Sequence, residues 1–139
     1  MKRYLDSSVL VASLLPDDPD FTSCDALLSA KDNHTNPHAL NETFATLTGG
    51  RLGTRIDPDV AAQMIRESIV PCVQFVELSV DEILLAQAEA RRHGVRGGGI
   101  YDYMHLIAAR KCSVEKIVTL NISDFVHLRR PGDPEVVHP

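Results

Sequence analysis

Asp6, Glu42, Asp102 and Asp124 lie far apart in the chain, yet each stands beside or inside an apolar run. Asp6 closes Tyr4-Leu5 and precedes two serines. Glu42 lies within Ala39-Leu40-Asn41-Glu42-Thr43-Phe44, and Asp102 within Ile100-Tyr101-Asp102-Tyr103-Met104-His105. Asp124 follows Ile117-Val118-Thr119-Leu120 by a few residues. A carboxylate so placed is costly to bury unless it is paired or bound to a metal. Oxygen donors with no His or Cys cluster suit a hard ion such as Mg²⁺ or Mn²⁺. Gathered like charges repel, so such a group needs a cation or raised pKa values. An ion held there would polarise a phosphoryl oxygen and activate a bound water, which is phosphodiester hydrolysis. Each acid also has a structural explanation. Asp6 can cap a helix, Asp102 near a helix start gains ~0.3–1 kcal/mol from the macrodipole, Glu42 can be solvated, and Asp124 can belong to a turn. Spacing alone leaves both readings open.

The elements that must position these acids can be read from periodicity and breakers. Arg3 to Asp6 reads as a short buried strand, followed by an apolar helix from about Ser8 to Leu15 that ends at Pro16-Asp17-Asp18-Pro19. A second helix is expected over Asp20 to Lys31, with Phe21, Cys24, Leu27 and Leu28 on one face. His34-Thr35-Asn36 reads as a short strand or connection, with Asn36 as N-cap and Pro37 in the first turn of a helix that stops at Gly49-Gly50. Asp57-Pro58 starts another helix, ending before Pro71. Cys72 to Leu78 alternates like a strand. Ser79 caps a helix from Val80 to about His93, with Glu82 at capping-box spacing and Gly94 as its stop. Gly97-Gly98-Gly99 precedes a helix over Ile100 to Lys111, Ile117 to Leu120 is a strand, and Val136-Val137 is a short edge strand.

Short strands alternating with helices predict an α/β fold with a parallel sheet. Ligands of such sheets bind outside the carboxyl ends of the strands, near the topological switch point. Asp6 and Asp124 follow strands at that edge, and Glu42 and Asp102 lie in the N-terminal halves of helices that can face the same crevice.

A chain of 139 residues is most economically one domain, residues 1–139, and 44% hydrophobic with 24% charged residues is an ordinary globular balance. No run approaches the ~20 apolar residues of a membrane span. Asp6 interrupts the apolar stretch that a secretory signal would need, so a cytoplasmic location is expected. Cys24, Cys72 and Cys112 are isolated, with no C-x-x-C pair, and read as small buried hydrophobes. A net charge of −5 argues against coating nucleic acid through bulk positive potential, although it leaves room for a nuclease whose acids await an ion. Arginines do cluster locally, at Arg51 and Arg55, at Arg91, Arg92 and Arg96, and at Arg129 and Arg130.

Four strings carry a family resemblance. Tyr4-Leu5-Asp6-Ser7-Ser8-Val9-Leu10 resembles the opening motif of PIN-domain ribonucleases, and Asn41-Glu42 is similar to their second acidic motif. Tyr101 to Ala109 resembles their third, and Thr119-Leu120-Asn121-Ile122-Ser123-Asp124-Phe125 their fourth. The motifs keep their order over nearly the whole chain. The resemblance implies a three-layer α/β/α PIN-like domain with a short central parallel sheet. At this length it points to the VapC toxins of toxin–antitoxin pairs: Mg²⁺- or Mn²⁺-dependent endoribonucleases, commonly dimeric and inhibited by a small antitoxin. Asp6, Glu42 and Asp102 carry over as catalytic metal ligands, with Asp124 as the fourth acid. Ser8 and Thr119 carry over as hydrogen-bonding supports. Family members can carry an acid where this chain has Asn121, and an amide there weakens a second metal site. His105 reads as a packing residue in an apolar helix, and His38 is given no role. Arg51, Arg55 and Arg96 are the candidate contacts for RNA phosphates.

Rival classes fare less well. A signalling receiver domain needs an acidic pair after its first strand and a late lysine, and a haloacid-dehalogenase-like phosphatase needs Asp-x-Asp; Asp6-Ser7-Ser8 supplies neither. The stronger alternative is a non-catalytic PIN-like module that binds RNA or a partner, an alternative that Asn121 keeps open.

Overall fold

The computed structural model describes residues 1–50, 53 and 55–139. Strands and helices alternate as β1 (Arg3–Leu5), α1 (Ser7–Leu14), α2 (Phe21–Ser29), β2 (Asn33–Thr35), α3 (His38–Gly49), α4 (Pro58–Ser68), β3 (Gln74–Phe75), α5 (Val80–Glu89), α6 (Gly99–Lys111), β4 (Lys116–Val118), α7 (Ile122–Val126) and β5 (Glu135–Val137). The strands form one sheet in the order β3-β2-β1-β4-β5, and every pairing is parallel.

Period-two alternation builds the three layers. Tyr4 pairs with Ile117 and Leu5 with Val118 in the β1–β4 register, so neighbouring residues face opposite sides. Leu5 and Val118 pack with Val9, Leu10, Leu28, Leu47 and Ile65 from α1 to α4. Tyr4 and Ile117 pack with Ala86, Tyr103, Leu106 and Phe125 from α5 to α7. The expected α/β/α sandwich with a short parallel sheet is the observed one. No helix among the described residues is long and apolar enough to cross a membrane.

Local chemistry sets most boundaries. Asn36 Oδ1 accepts from Ala39 N at 3.0 Å, so it caps α3 as its place before Pro37 predicts. Asp57 accepts from Asp59 N at the start of α4, and Ser79 and Glu82 exchange both capping-box bonds at the start of α5. The helix expected to run to His93 gives way after Glu89 to a tight 3₁₀ turn over Ala90–His93, which Gly94 closes at φ +67°.

Two strands are shorter than their sequence pattern. The Cys72-to-Leu78 stretch yields only Gln74–Phe75, because Val70–Cys72 with Pro71 folds into a 3₁₀ turn instead. The last central strand stops at Val118 rather than Leu120. Beyond it a side chain takes over the bonding, as Leu120 N donates to Ser8 Oγ at 3.0 Å. Of the three cysteines only Cys24 is fully buried, while Cys72 and Cys112 are half-buried. Burial pushes the Cys24 thiol up to about 12, which leaves it unreactive.

Candidate active site

Chain order reverses direction across the sheet between β1 and β4, so the crevice at their carboxyl ends is the switch point of the fold. Asp6 occupies it. Its Oδ1 accepts from Ser8 N at 3.1 Å and Val9 N at 3.4 Å, capping α1, and also from the Ser8 hydroxyl. Its Oδ2 accepts from Thr119 Oγ1 at 2.7 Å. Both hydroxyls are themselves acceptors, Ser8 from Leu120 N and Thr119 from Asn121 N at 2.9 Å. Together Ser8 and Thr119 fasten the end of β1 to the chain leaving β4. Burial drives the Asp6 carboxyl above its ordinary pKa, against the opposing pull of His105 and its hydroxyl donors.

Glu42 sits one turn into α3 and is half-buried. Ser7 Oγ donates to its Oε2 at 3.2 Å, and its Oε1 lies 2.7 Å from His105 Nε2 on α6. Burial works against the charged carboxylate, but the His105 hydrogen bond and charge outweigh it and hold Glu42 below its ordinary value. His105 answers in the opposite sense. Burial opposes charging the ring, yet Glu42, Asp6 and Asp102 together raise its pKa. The other ring nitrogen meets Tyr4 Oη at 2.6 Å, and both side chains are almost wholly excluded from solvent. The packing role read for His105 is incomplete, because a polar chain of Tyr4, His105, Glu42 and Ser7 runs through it. The available signal was two polar-capable side chains, Tyr4 and His105, inside otherwise apolar runs.

Asp102 lies in the first turn of α6 and accepts no hydrogen bond from any described residue. Its pKa is pushed up to about 6, first by burial and then by the negative charges of Asp124, Asp6 and Glu42, with His105 opposing. Of the three acids Asp124 acts on it most, and these two line the same cleft. Asp124 stands in the short helix α7 rather than at a strand end, and it is exposed. With Asp102 and Arg96 it lines a cleft of about 260 Å³. Asn121 is exposed at the head of α7 and makes no capping bond with its side chain.

The candidate arginines separate. Arg96 shares the cleft of Asp102 and Asp124. Arg55 is not brought there: a Cβ on Gly50 would meet its guanidinium at 3.0 Å, so it lies at the far end of α3, about 12 Å along the axis from Glu42 at the helical rise. Arg51 falls outside the described residues. His38, given no role from sequence, has Nε2 3.9 Å from Glu42 Oε1 and stacks on Tyr101.

The donor set has the chemistry for a hard cation: oxygen ligands, mutual repulsion, and two acids, Asp102 and Asp124, with no hydrogen-bond partner among the described residues. Among those residues no three His, Cys, Asp or Glu side chains form a ready-made cage. Mg²⁺ does not demand one, since it keeps several waters and is held by one or two carboxylates.

The parallel five-stranded α/β/α sandwich has the PIN-like fold. No family model and no curated protein matches the sequence. Among solved structures, VapC20 of Mycobacterium tuberculosis, a toxin that cleaves the sarcin-ricin loop, is similar at a TM-score of 0.65 and 23% identity, over 84% of this chain and 87% of that one. FitAB bound to an IR36 DNA fragment is similar at a TM-score of 0.62 and 19% identity, over 99% and 94% of the respective chains. At these identities the likeness establishes the shared fold.

Proposed function

We propose that this chain is a divalent-metal-dependent endoribonuclease, acting in the cytoplasm as the toxin of a VapC-type toxin–antitoxin pair. The observation that carries this reading is the cleft that Asp102, with no hydrogen-bond partner among the described residues, shares with Asp124; burial and the charges of Asp124, Asp6 and Glu42 raise its carboxyl. Two carboxylates at one half-buried cleft repel each other, an arrangement that packing alone does not call for. The shared fold with a sarcin-ricin-loop-cleaving toxin supports the same reading.

Asp6, Glu42, Asp102 and Asp124 are the residues that would hold Mg²⁺ or Mn²⁺, which when bound supplies Lewis-acid polarisation and a water of lowered pKa. The chain's own groups do the positioning. Ser8 and Thr119 fix both Asp6 oxygens, and His105 with Ser7 fixes both Glu42 oxygens. Asp102 and Asp124, without a hydrogen-bond partner among the described residues, would accept the cation, and Arg96, which lines the same cleft, would meet a substrate phosphate. A small antitoxin protein and a second copy are the proposed partners. Val80 and Leu84, one turn apart on α5 and 73% and 55% exposed, offer an apolar strip of the kind that a protein contact covers.

A non-catalytic RNA- or partner-binding module is the second reading, favoured by the lack of a three-ligand cage among the described residues. One experiment separates the two: cleavage of a structured RNA panel with Mn²⁺ by wild type, Asp6→Asn and Asp102→Asn. Wild-type cleavage that both variants lose supports the nuclease. Wild-type activity no greater than that of the variants sinks it.

A further inference from the structure

The acidic crevice has an apolar neighbour. A cavity of about 550 Å³ opens between the start of α3, the segment before α5, and the start of α6; its lining includes His38, Tyr101, Met104, Ile83, Glu77 and Gln87. This is the size and character of a small-ligand pocket, apolar walls with a few polar groups. Two of its residues tie it to the acids. His38 Nε2 is 3.9 Å from Glu42 Oε1, and Tyr101 directly precedes Asp102. Their rings stack with centroids 4.8 Å apart and planes 19° from parallel, and Tyr101 stays 49% exposed.

An exposed tyrosine held by a stacking partner has given up conformational freedom without gaining burial. Such a pair is a platform for another flat ring. Single-stranded RNA is recognised by splaying bases onto aromatic side chains and hydrogen-bonding their edges. Gln87 and Glu77 are exposed and supply an amide and a carboxylate at the rim, donors and acceptors suited to an uncharged base. A phosphate would be repelled by Glu77, so base rather than backbone fits here, with the backbone left to Arg96 and to the cation that the crevice acids would hold.

We propose that this cavity receives one unstacked nucleobase next to the scissile phosphate, stacked on the Tyr101–His38 pair, and so sets which RNA positions are cut. This rests on the nuclease reading, and the test keeps the two apart. A set of short single-stranded RNAs, each with one abasic site at a different position, is measured twice: binding by fluorescence anisotropy with Ca²⁺, and cleavage with Mn²⁺. In wild type, one abasic position should weaken binding and raise KM about tenfold with kcat less affected. Tyr101→Ala should bind the intact RNA about tenfold more weakly and lose that positional dependence, whereas Tyr101→Phe retains it. Wild type that cuts every abasic RNA alike overturns the pocket and leaves the nuclease standing. Base-dependent binding without cleavage keeps the pocket and overturns the nuclease, while no binding and no cleavage overturns both. If Tyr101→Ala keeps the base dependence but converts a dimer to a monomer by sedimentation, the cavity is instead a face between copies and the proposal fails.

Discussion

His105 Nε2 lies 2.7 Å from Glu42 Oε1, joining the middle of α6 to the first turns of α3 inside the protein. Tyr4 of the central strand stands 2.6 Å from the other ring nitrogen, so one imidazole ties the central strand to α3 and α6, the helices of Glu42 and Asp102.

Removing that imidazole should therefore destabilise before it does anything subtle. His105→Ala leaves Glu42 charged with its strongest partner gone and the Tyr4 hydroxyl unpaired, a loss of about 3 kcal/mol for a buried pair. The pH dependence has a definite sign. Glu42 is lowered from 4.5, so its contribution is present above that value and lost as pH falls through the lowered one. His105 is raised from 6.5, so its contribution is present below that value and lost as pH rises through the raised one. Thermal midpoints of wild type and His105→Ala should differ most near pH 5.5, between those ordinary values, and less at pH 9. A gap that stays constant over that range would mean that a neutral hydrogen bond, rather than an ion pair, holds Glu42.

Asp102 should trade stability for activity. A carboxyl raised from 3.8 to about 6 binds its proton more tightly in the folded state, so metal-free stability falls as pH climbs through that window. Asp102→Asn removes the repulsion and should stabilise the metal-free protein at pH 7.5 by about 1 kcal/mol after solvent screening, a rise of a few degrees in melting temperature. The same change should lower Mn²⁺-dependent RNA cleavage by roughly 100-fold or more. Added Mn²⁺ should raise the wild-type melting temperature more than that of the variant. Equal melting temperatures without metal would show that the four acids do not repel as their placement requires.

The bidentate pair of Arg110 and Asp133 is a control site away from the crevice. Nε and Nη2 donate to the two carboxylate oxygens at 2.7 and 2.8 Å, and Arg130 N adds a third bond at 2.9 Å. Burial alone would raise the Asp133 pKa, but Arg110 outweighs it and holds the carboxyl below its ordinary value. The pair pins the turn before β5 to the end of α6. Arg110→Ala should cost about 3 kcal/mol in a denaturant titration while leaving kcat for RNA cleavage within about twofold. A large kcat loss in a folded variant would mean that β5 shapes the crevice more than these contacts imply.

What could be read from the chain divides along physical lines. The sandwich was legible because strand alternation and helix periodicity are local: Tyr4-Leu5 and Ile117-Val118 already state which face each side chain takes. The caps at Asn36, Asp57 and Ser79 were legible for the same reason. Asp6, Glu42 and Asp102 were marked as acids inside apolar strings. The Tyr4–His105–Glu42 chain is not legible, because its members are separated by up to 101 residues and Tyr4 and His105 each pass for packing. Arg55 and Arg96 looked equivalent as basic residues, and only the fold separates them, one at the far end of α3 and one beside Asp102. The ends of β3 and β4 depart from the sequence pattern where the 3₁₀ turn at Pro71 and the Ser8 hydroxyl replace ladder bonding.

The fourth acid is where sequence left a choice, and the geometry favours Asp124 over Asn121. Asp124 is the largest charge acting on Asp102 and lines the same cleft, whereas Asn121 is exposed and engages Thr119 only through its backbone N–H. Asp124→Asn should therefore bring the Asp102 pKa down from about 6 toward its ordinary value, measured by carboxyl-carbon NMR titration of the metal-free protein. It should also weaken Mn²⁺ binding by roughly 10-fold or more, as loss of a group tuning a metal site does. Asn121→Ala removes no charge and should leave both within about twofold. Introducing a carboxylate with Asn121→Asp tests the opposite case: if position 121 faces the cation, the new charge raises the Asp102 pKa further and tightens Mn²⁺ binding. A variant in which Asn121→Ala abolishes Mn²⁺ binding while Asp124→Asn leaves it intact would reverse the assignment.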